Sequence, residues 1–315
     1  MLWQGLAALC VPGAGRAQDA GVLRIVVAAP PGGITDTFAR LIAEPLRAQL
    51  GQTVVVDNKP GASGAIAARA VLSAPANGQT EFFATPTSLT LPSLLKQPAP
   101  FDPRREFVPV AHTAGGDGLL VVNAALPPTT VQELVAWVKA RPGQLNYGSA
   151  GIASTNHLAM ELFNDRLGLD ILHVPYTGAA PAVTALLAGQ VQVYMGDIGS
   201  LGTHIRSGKL RALAQIGLQR SPQFPAVPTL AETLLPGYRA TFWLGFVARE
   251  GTPARLVARL NEAINKAMTQ EPVTNHAASI GFDVHTGPPQ DLADLIAADI
   301  DVWGGVIRRH HITAQ

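Results

Sequence analysis

Two stretches of the chain set small polar residues and glycines just ahead of a helical pattern, the arrangement that binds anions through backbone amides. The first is Ala29-Pro30-Pro31-Gly32-Gly33-Ile34-Thr35-Asp36. A β-branched run ends there, and Phe38, Leu41, Ile42 and Leu46 begin a helical repeat. The prolines stop the strand, and the glycines permit unusual dihedrals and close approach to bare N–H groups. The following helix points its free amides and its positive dipole end back into the loop. Such a corner takes an anion without any basic side chain. Asp36 either caps local N–H groups or accepts from a ligand group or an ordered water. The second stretch is NYGSAGIASTNHLAMELF, Asn146 to Phe163. It reads as a strand, a Gly/Ser/Thr loop and a helix starting near Ser154 or Thr155. Ser154 there is an N-cap, a ligand donor, or both. Two such corners facing each other suit a ligand with two anionic ends.

Other chemistries find little support. Gly61-Ala62-Ser63-Gly64-Ala65 and Tyr147-Gly148-Ser149-Ala150-Gly151 each miss the G-x-S-x-G elbow by a misplaced glycine. There is no HExxH, no Walker loop and no G-x-G-x-x-G after a strand. The eight histidines are scattered. His310-His311 reads as a solvated end, and His157 as packed or hydrogen-bonded at its helix start. No metal site, cofactor or nucleophile–base pair is expected.

The elements that carry these corners alternate between strand and helix, the pattern of parallel sheets with helices on both faces. The first half predicts strands at 23–29, 53–57 and 80–84, with helices at 35–50 and 63–72. Pro45 should kink the first helix. LKQPAPFDPRREFVPV then breaks the rhythm and is expected to wrap the surface. A second series predicts strands at 119–123, 145–148, 171–174, 191–195 and 210–216. Its first helix opens on a capping box of Thr130 and Glu133, and further helices are expected at 154–167, 180–187 and 200–206. A strand at 241–248, a long helix opening at Thr252-Pro253 and a final helix carrying Leu292, Leu295, Ile296 and Trp303 complete the chain.

The 315 residues are enough for two domains with real cores. Only 14% are charged, and the formal charge is +1 without a dense basic run, which argues against nucleic acid or an anionic membrane surface as partner. Residues 1–20 resemble a secretory leader, with an apolar core at Leu6 to Val11 and cleavage near Ala17 or Ala20. No Lys or Arg precedes that core, and Leu9 makes a poor lipobox. Cys10 is the one cysteine, so removal of the leader leaves no disulfide, thiolate or cysteine metal site.

Several stretches together resemble the extracytoplasmic solute receptors of tripartite tricarboxylate transporters, the Bug receptors. They include PPGGITDTFARLIAEPLRAQLGQTVVVDNKPGASGAIAARAV, YGSAGIASTNHLAMELF, HVPYTGAAPAVTALLAGQVQVYMGDIGS and AREGTPARLVARLN, in family order from Leu23 onward. The resemblance implies a type II periplasmic-binding-protein fold: two α/β domains joined by two hinge crossings, with a carboxylated ligand in the cleft. It implies residues 21–118 and 218–315 as domain 1 and 119–217 as domain 2. The family's first ligand loop falls on Pro31, Gly32, Gly33 and Asp36, and its second on Ser149, Ser154 and Thr155. Tyr176 and Asp197 fall at cleft-lining positions. ATPTSLT stands in a loop that varies in the family and helps set ligand choice, which adds Thr85 and Ser88. The implied function is capture of a small organic carboxylate in the periplasm, by a monomer, for membrane permease subunits, without catalysis. A ligand sensor presenting its closed form to a receptor kinase is the alternative. Dicarboxylates, tricarboxylates, aromatic acids and acidic amino acids all remain compatible with the sequence.

Overall fold

The computed structural model describes residues 21–96 and 98–313; the leader-like segment and Cys10 lie outside them. The first lobe opens with β1 (Leu23–Val27), α1 (Ile34–Leu50), β2 (Val54–Asn58), α2 (Ala65–Leu72), β3 (Thr80–Ala84), α3 (Pro86–Leu95) and β4 (Phe107–Gly116). The chain passes to the second lobe through β5 (Gly118–Asn123) and continues with α4 (Val131–Lys139), β6 (Asn146–Ser149), α5 (Thr155–Leu167), β7 (Leu172–Pro175), α6 (Ala179–Leu187), β8 (Val193–Asp197), α7 (Ile198–Arg206) and β9 (Leu210–Gln215). A short α8 (Leu230–Thr233) precedes the return through β10 (Phe242–Arg249), followed by α9 (Ala254–Met268), α10 (Glu271–Ser279), β11 (Asp283–Val284) and α11 (Pro289–Arg309).

Both sheets are mixed, where the alternating pattern predicts parallel ones. The six-stranded sheet runs β11-β4-β10-β3-β1-β2 and the five-stranded sheet β7-β6-β8-β5-β9. β1 pairs in parallel with β2 and β3, but β10 is antiparallel to both β3 and β4. In the second sheet β6 is parallel to β7 and β8, while β5 is antiparallel to β8 and β9. The cause is topological. A strand entering a lobe at a crossing must run away from the cleft, whereas strands feeding βα corners run toward it. β5 and β10 are those entering strands.

Helix α1 shows how pattern becomes packing. Phe38, Ile42, Leu46 and Leu50 recur every four residues, with Ala39 and Ala43 beside them, and all six are buried. They close one face of the first sheet together with α9. The helix is continuous through Pro45 and ends at Gly51 in the left-handed conformation. On the other face α2 and α3 pack with Leu292, Leu295 and Ile296 of α11. Further along α11, Trp303, Val306 and Ile307 join the core of the second lobe. Leu230, Leu235, Tyr238 and Ala240 also belong to that core. The expected capping box at α4 is displaced by one residue: Thr130 accepts the Glu133 N–H, but the Glu133 carboxylate accepts from the backbone N–H and hydroxyl of Thr129. None of the helices among the described residues is long and apolar enough to cross a membrane.

Candidate functional site

The first corner is built around Asp36. The chain leaves β1, turns at Gly32 with φ +85°, and enters α1 through Gly33 with φ −74° and ψ 165°. Only Gly32 therefore needs the left-handed region; Gly33 is extended, and its expected special dihedral is not present. The Gly32 N–H donates to Asp36 Oδ2 at 2.8 Å, Asn58 Nδ2 donates to Oδ1 at 2.8 Å, and Arg40 Nε reaches both oxygens at 3.1 and 3.0 Å. Burial works to raise the Asp36 pKa, but the hydrogen bonds from Arg40, Gly32 and Asn58 outweigh it and hold the carboxyl below its usual range. Asp36 thus directs its acceptors at Gly32, Arg40 and Asn58. No side chain caps α1, so the first-turn amides of Ile34 and Thr35 stay open toward the cleft.

The second corner has a different support. Ser149 Oγ accepts the Gly151 N–H at 3.1 Å and lies 2.6 Å from His173 Nε2. His173 stacks on His157 with ring centroids 3.9 Å apart and on Tyr147 at 4.9 Å. His157 Nδ1 accepts the N–H of Ala153, a residue held at φ +62°. Ser154 Oγ donates to Gly151 O at 2.7 Å and caps α5 by accepting from His157 N at 3.4 Å. Burial pushes His157 down to about 3 and His173 down to about 4, so both rings are neutral near pH 7. Ser149 and His173 lie close enough to resemble a nucleophile and its base. Ser149 is fully buried, however, and its hydroxyl already serves the loop.

Between the lobes lies a cleft of about 400 Å³. Ile34 and Thr35 line it from the first corner, and Thr155 and Asp197 from the second lobe. Thr155 is buried, and its hydroxyl has no hydrogen-bond partner among the described residues. Asp197 caps α7, accepting from Ser200 N at 2.8 Å and from Ser200 Oγ at 3.0 Å. Thr85 and Ser88 also line the cleft and form a reciprocal capping box at the start of α3, at 3.0 and 3.2 Å. Pro31, Gly32, Gly33 and Asp36 are not among the residues that line this cleft, nor are Ser149, Ser154 and Tyr176. Tyr176 donates its N–H to Ser149 O at 3.0 Å and packs on the second lobe's core.

Sequence reasoning passes over part of this wall. The turn at 61–64 enters the cleft with Ala62 at φ +48° and Ser63 at φ +53°, a strained pair of non-glycine residues. Gly64 packs so closely on Ser88 that a Cβ there would lie 2.6 Å from its Cα. The doubled glycine of GASG is the signal that could have found it. Phe242, Leu244 and Phe282 also line the cleft; their apolar character gives no such signal.

A second cavity, about 510 Å³, adjoins the crossings and is lined by His112, Asp117, Arg239 and His285. Burial drives His112 down to about 3 and Asp117 up to about 6. At the far end of α11, His310 lies 3.2 Å from Glu161 and 2.9 Å from Asp165. The solvated end expected there is instead tied to α5. Among the described residues no three His, Cys, Asp or Glu side chains gather at metal-binding spacing.

Residues 38–312 match the family model described as tripartite tricarboxylate transporter family receptor. The chain is 35% identical to Protein BugT of Bordetella pertussis over 303 residues, 96% of this chain and 93% of that one. Among solved structures, an R. palustris protein with adipate is 34% identical, with TM-score 0.76, covering 94% of this chain and 99% of the other. A TctC solute binding protein from Polaromonas, without ligand, is 28% identical, with TM-score 0.84 and coverage of 93% and 99%. The mixed two-sheet architecture is the two-domain fold of these periplasmic binding proteins. Given the match over most of its length, the chain belongs to the tripartite tricarboxylate transporter receptor family, a family of solute-binding proteins and not of enzymes.

Proposed function

We propose that this protein is a periplasmic receptor that captures a small organic carboxylate between its lobes and delivers it to the membrane permease subunits of a tripartite tricarboxylate-type transporter. One observation carries the reading: the uncapped start of α1 and the unpartnered Thr155 hydroxyl open onto the same cleft, which no Lys, Arg or His lines. A carboxylate there takes its hydrogen bonds from first-turn amides and a hydroxyl, with the α1 dipole favouring its charge. Asp36 and the Ser149–His173–His157 cluster hold the two loops in place from behind, so little ordering remains to be done on binding. Thr85, Ser88 and Asp197 then serve as walls whose own polar groups are already engaged.

Thermal melting against a library of organic acids tests this. A ligand that binds the folded state alone, at a hundredfold excess over Kd, adds about 2.7 kcal/mol. At least one carboxylate should raise the melting temperature clearly, and Thr155→Val should remove most of that rise. A library that moves the melting point nowhere overturns the reading.

A further inference from the structure

Where the chain crosses between the lobes, three charged side chains face one cavity without pairing with one another. Asp117 stands on the outgoing crossing, between β4 and β5; Arg239 stands on the return crossing, before β10; Asp283 of β11 is exposed at the mouth. Arg239 is half-buried. Among the described residues its guanidinium makes one side-chain hydrogen bond, from Nε to Thr241 Oγ1 at 3.3 Å, and no ion pair. The rest of its planar fork of donors is left to a space of about 510 Å³. The carboxylates of Asp117 and Asp283 likewise accept no hydrogen bond from the described residues. Burial, and after it the charge of Asp283, push Asp117 up to about 6 against the pull of Arg239, so the two acids crowd each other and a cation between them would relieve both. The Asp117 carboxylate also packs directly on Gly217 of the return segment, where a side chain would collide with it. In the same wall His112 stacks on His285 with ring centroids 4.2 Å apart. Both Nε2 atoms lie beside Gly115, where a Cβ would sit 3.3 and 3.4 Å from them. The His112 Nε2 is buried without a hydrogen-bond partner among the described residues, a condition that native structures seldom leave unanswered.

Such a lining suits neither a plain anion nor a plain cation. An acid drawn to Arg239 is repelled by Asp117 and Asp283, and an amine meets the reverse. We infer that this crossing cavity is a second ligand site, for a zwitterionic α-amino acid whose carboxylate sits on the Arg239 fork and whose ammonium sits between Asp117 and Asp283. Arg239 then gains the planar, charge-assisted partner its geometry fits, and His112 or His285 offers the ammonium a further acceptor. Leu218, otherwise 52% exposed, lines the cavity with Phe242 and Leu295; these walls receive an uncharged, apolar side chain. The two ends of the ligand hold different crossings, and Phe242 and Trp243 form a wall common to this cavity and the cleft. Occupancy therefore fixes the angle between the lobes and alters the affinity of the cleft, a coupling that runs in both directions. The site is independent of the receptor reading above; only the coupling rests on it.

Titration of nitrogen-15-labelled protein with L-leucine and L-phenylalanine tests the site, beside their deaminated analogues isocaproate and hydrocinnamate and their decarboxylated analogues isoamylamine and phenethylamine. At least one of the two amino acids should shift the amides of Gly116, Asp117 and Thr241 along one saturable curve, and bind there at least tenfold more tightly than either of its analogues. Arg239→Gln and Asp117→Asn should each weaken that binding at least tenfold, with the melting temperature of the free protein as the folding control. Arg239→Gln, which breaks no ion pair, carries the test alone should Asp117→Asn fail to fold. The inference is overturned by an analogue that binds at the crossings within tenfold of its parent amino acid, or by a folded Arg239→Gln variant that binds like the unaltered protein. Shifts confined to Ile34 and Thr155 in the cleft, or no shift from either amino acid, overturn it equally. Filling the cleft with the acid that most raises the melting temperature should change the amino acid's affinity at the crossings at least threefold, and an unchanged affinity overturns the coupling. If no acid binds the cleft, the receptor reading falls, while the amide shifts at the crossings still decide this site.

Discussion

The two helix-start corners solve one problem with opposite electrostatics. Each must leave backbone amides open to the cleft while pinning a glycine-bearing loop from behind. In the first lobe the pin is an ionised carboxylate: Asp36 gathers Gly32, Asn58 and Arg40. In the second it is a neutral stack, with His157 and His173 rings 3.9 Å apart. Ser149, Ser154 and Ala153 are tied to that stack or to the same loop. The difference teaches that the polar residues nearest the proposed anion site need not face the anion. Asp36 stays compatible with a carboxylate ligand because its charge is turned away and matched by Arg40. The histidines stay compatible because burial keeps them uncharged.

The largest expected effect is on the charged side. Asp36→Ala strands the Gly32 N–H and one Asn58 amide hydrogen and leaves Arg40 without its carboxylate, at a cost of about 2–3 kcal/mol. Urea unfolding measures it, and a loss below 0.5 kcal/mol, on the order of an ordinary surface change, would break the claim that this carboxylate organises the corner. Thr155→Val comes next and acts on binding. It removes a hydroxyl donor to a charged group while keeping the side-chain shape, which weakens affinity by about 1.5–3 kcal/mol, roughly tenfold to over a hundredfold in Kd, with stability nearly unchanged.

Acid should separate the corners. The folded protein holds His157 near 3 and His173 near 4 against an ordinary value of 6.5. Between those limits the unfolded chain binds more protons, so this contribution is complete above about pH 6.5 and fades as pH falls toward 4. Asp36, shifted below 3.8, keeps its contribution until the pH drops beneath that value. Hydrogen-exchange protection, corrected for the intrinsic rate at each pH, should therefore fall at pH 4.5 in residues 151–157, while residues 32–36 keep theirs until the pH drops below 3.8. Equal loosening of both would erase the contrast. The smallest effect belongs to Ser154→Ala. As a cap lying behind the cleft it should cost about 1 kcal/mol of stability, with a change in Kd below threefold. A hundredfold loss would place its hydroxyl on the ligand.

These outcomes bear on what a sequence can and cannot say. The strand, loop and helix of each corner were legible because β-branched runs, glycines and i, i+4 apolar spacing are local signals, as at Phe38, Ile42 and Leu46. β4 and α3 were hidden by proline. Pro86 begins α3 and Pro92 sits inside it, while Pro109 lies in β4 where the register against β10 shifts, a position that tolerates a missing donor. The roles of Asp36, Ser149 and Ser154 were only half legible. Their presence at the corners was plain, but the direction each faces depends on partners as distant as Asn58 and His173. The apolar wall of Phe242, Leu244 and Phe282 had no local mark, since an apolar stripe does not say whether it meets a core or a ligand. Likewise the stripe of α11 did not announce that it serves one lobe at Leu292 and the other at Trp303.

The central claim is that one carboxylate-bearing ligand is held by helix starts from both lobes. Amide chemical shifts of nitrogen-15-labelled protein, followed during titration with the acid that most raises the melting temperature, test it directly. The account predicts that Ile34 and Thr35 on one side, and Thr155 and Asn156 on the other, shift together along a single saturable curve. Saturable binding that moves only one of these pairs, or neither, would contradict it.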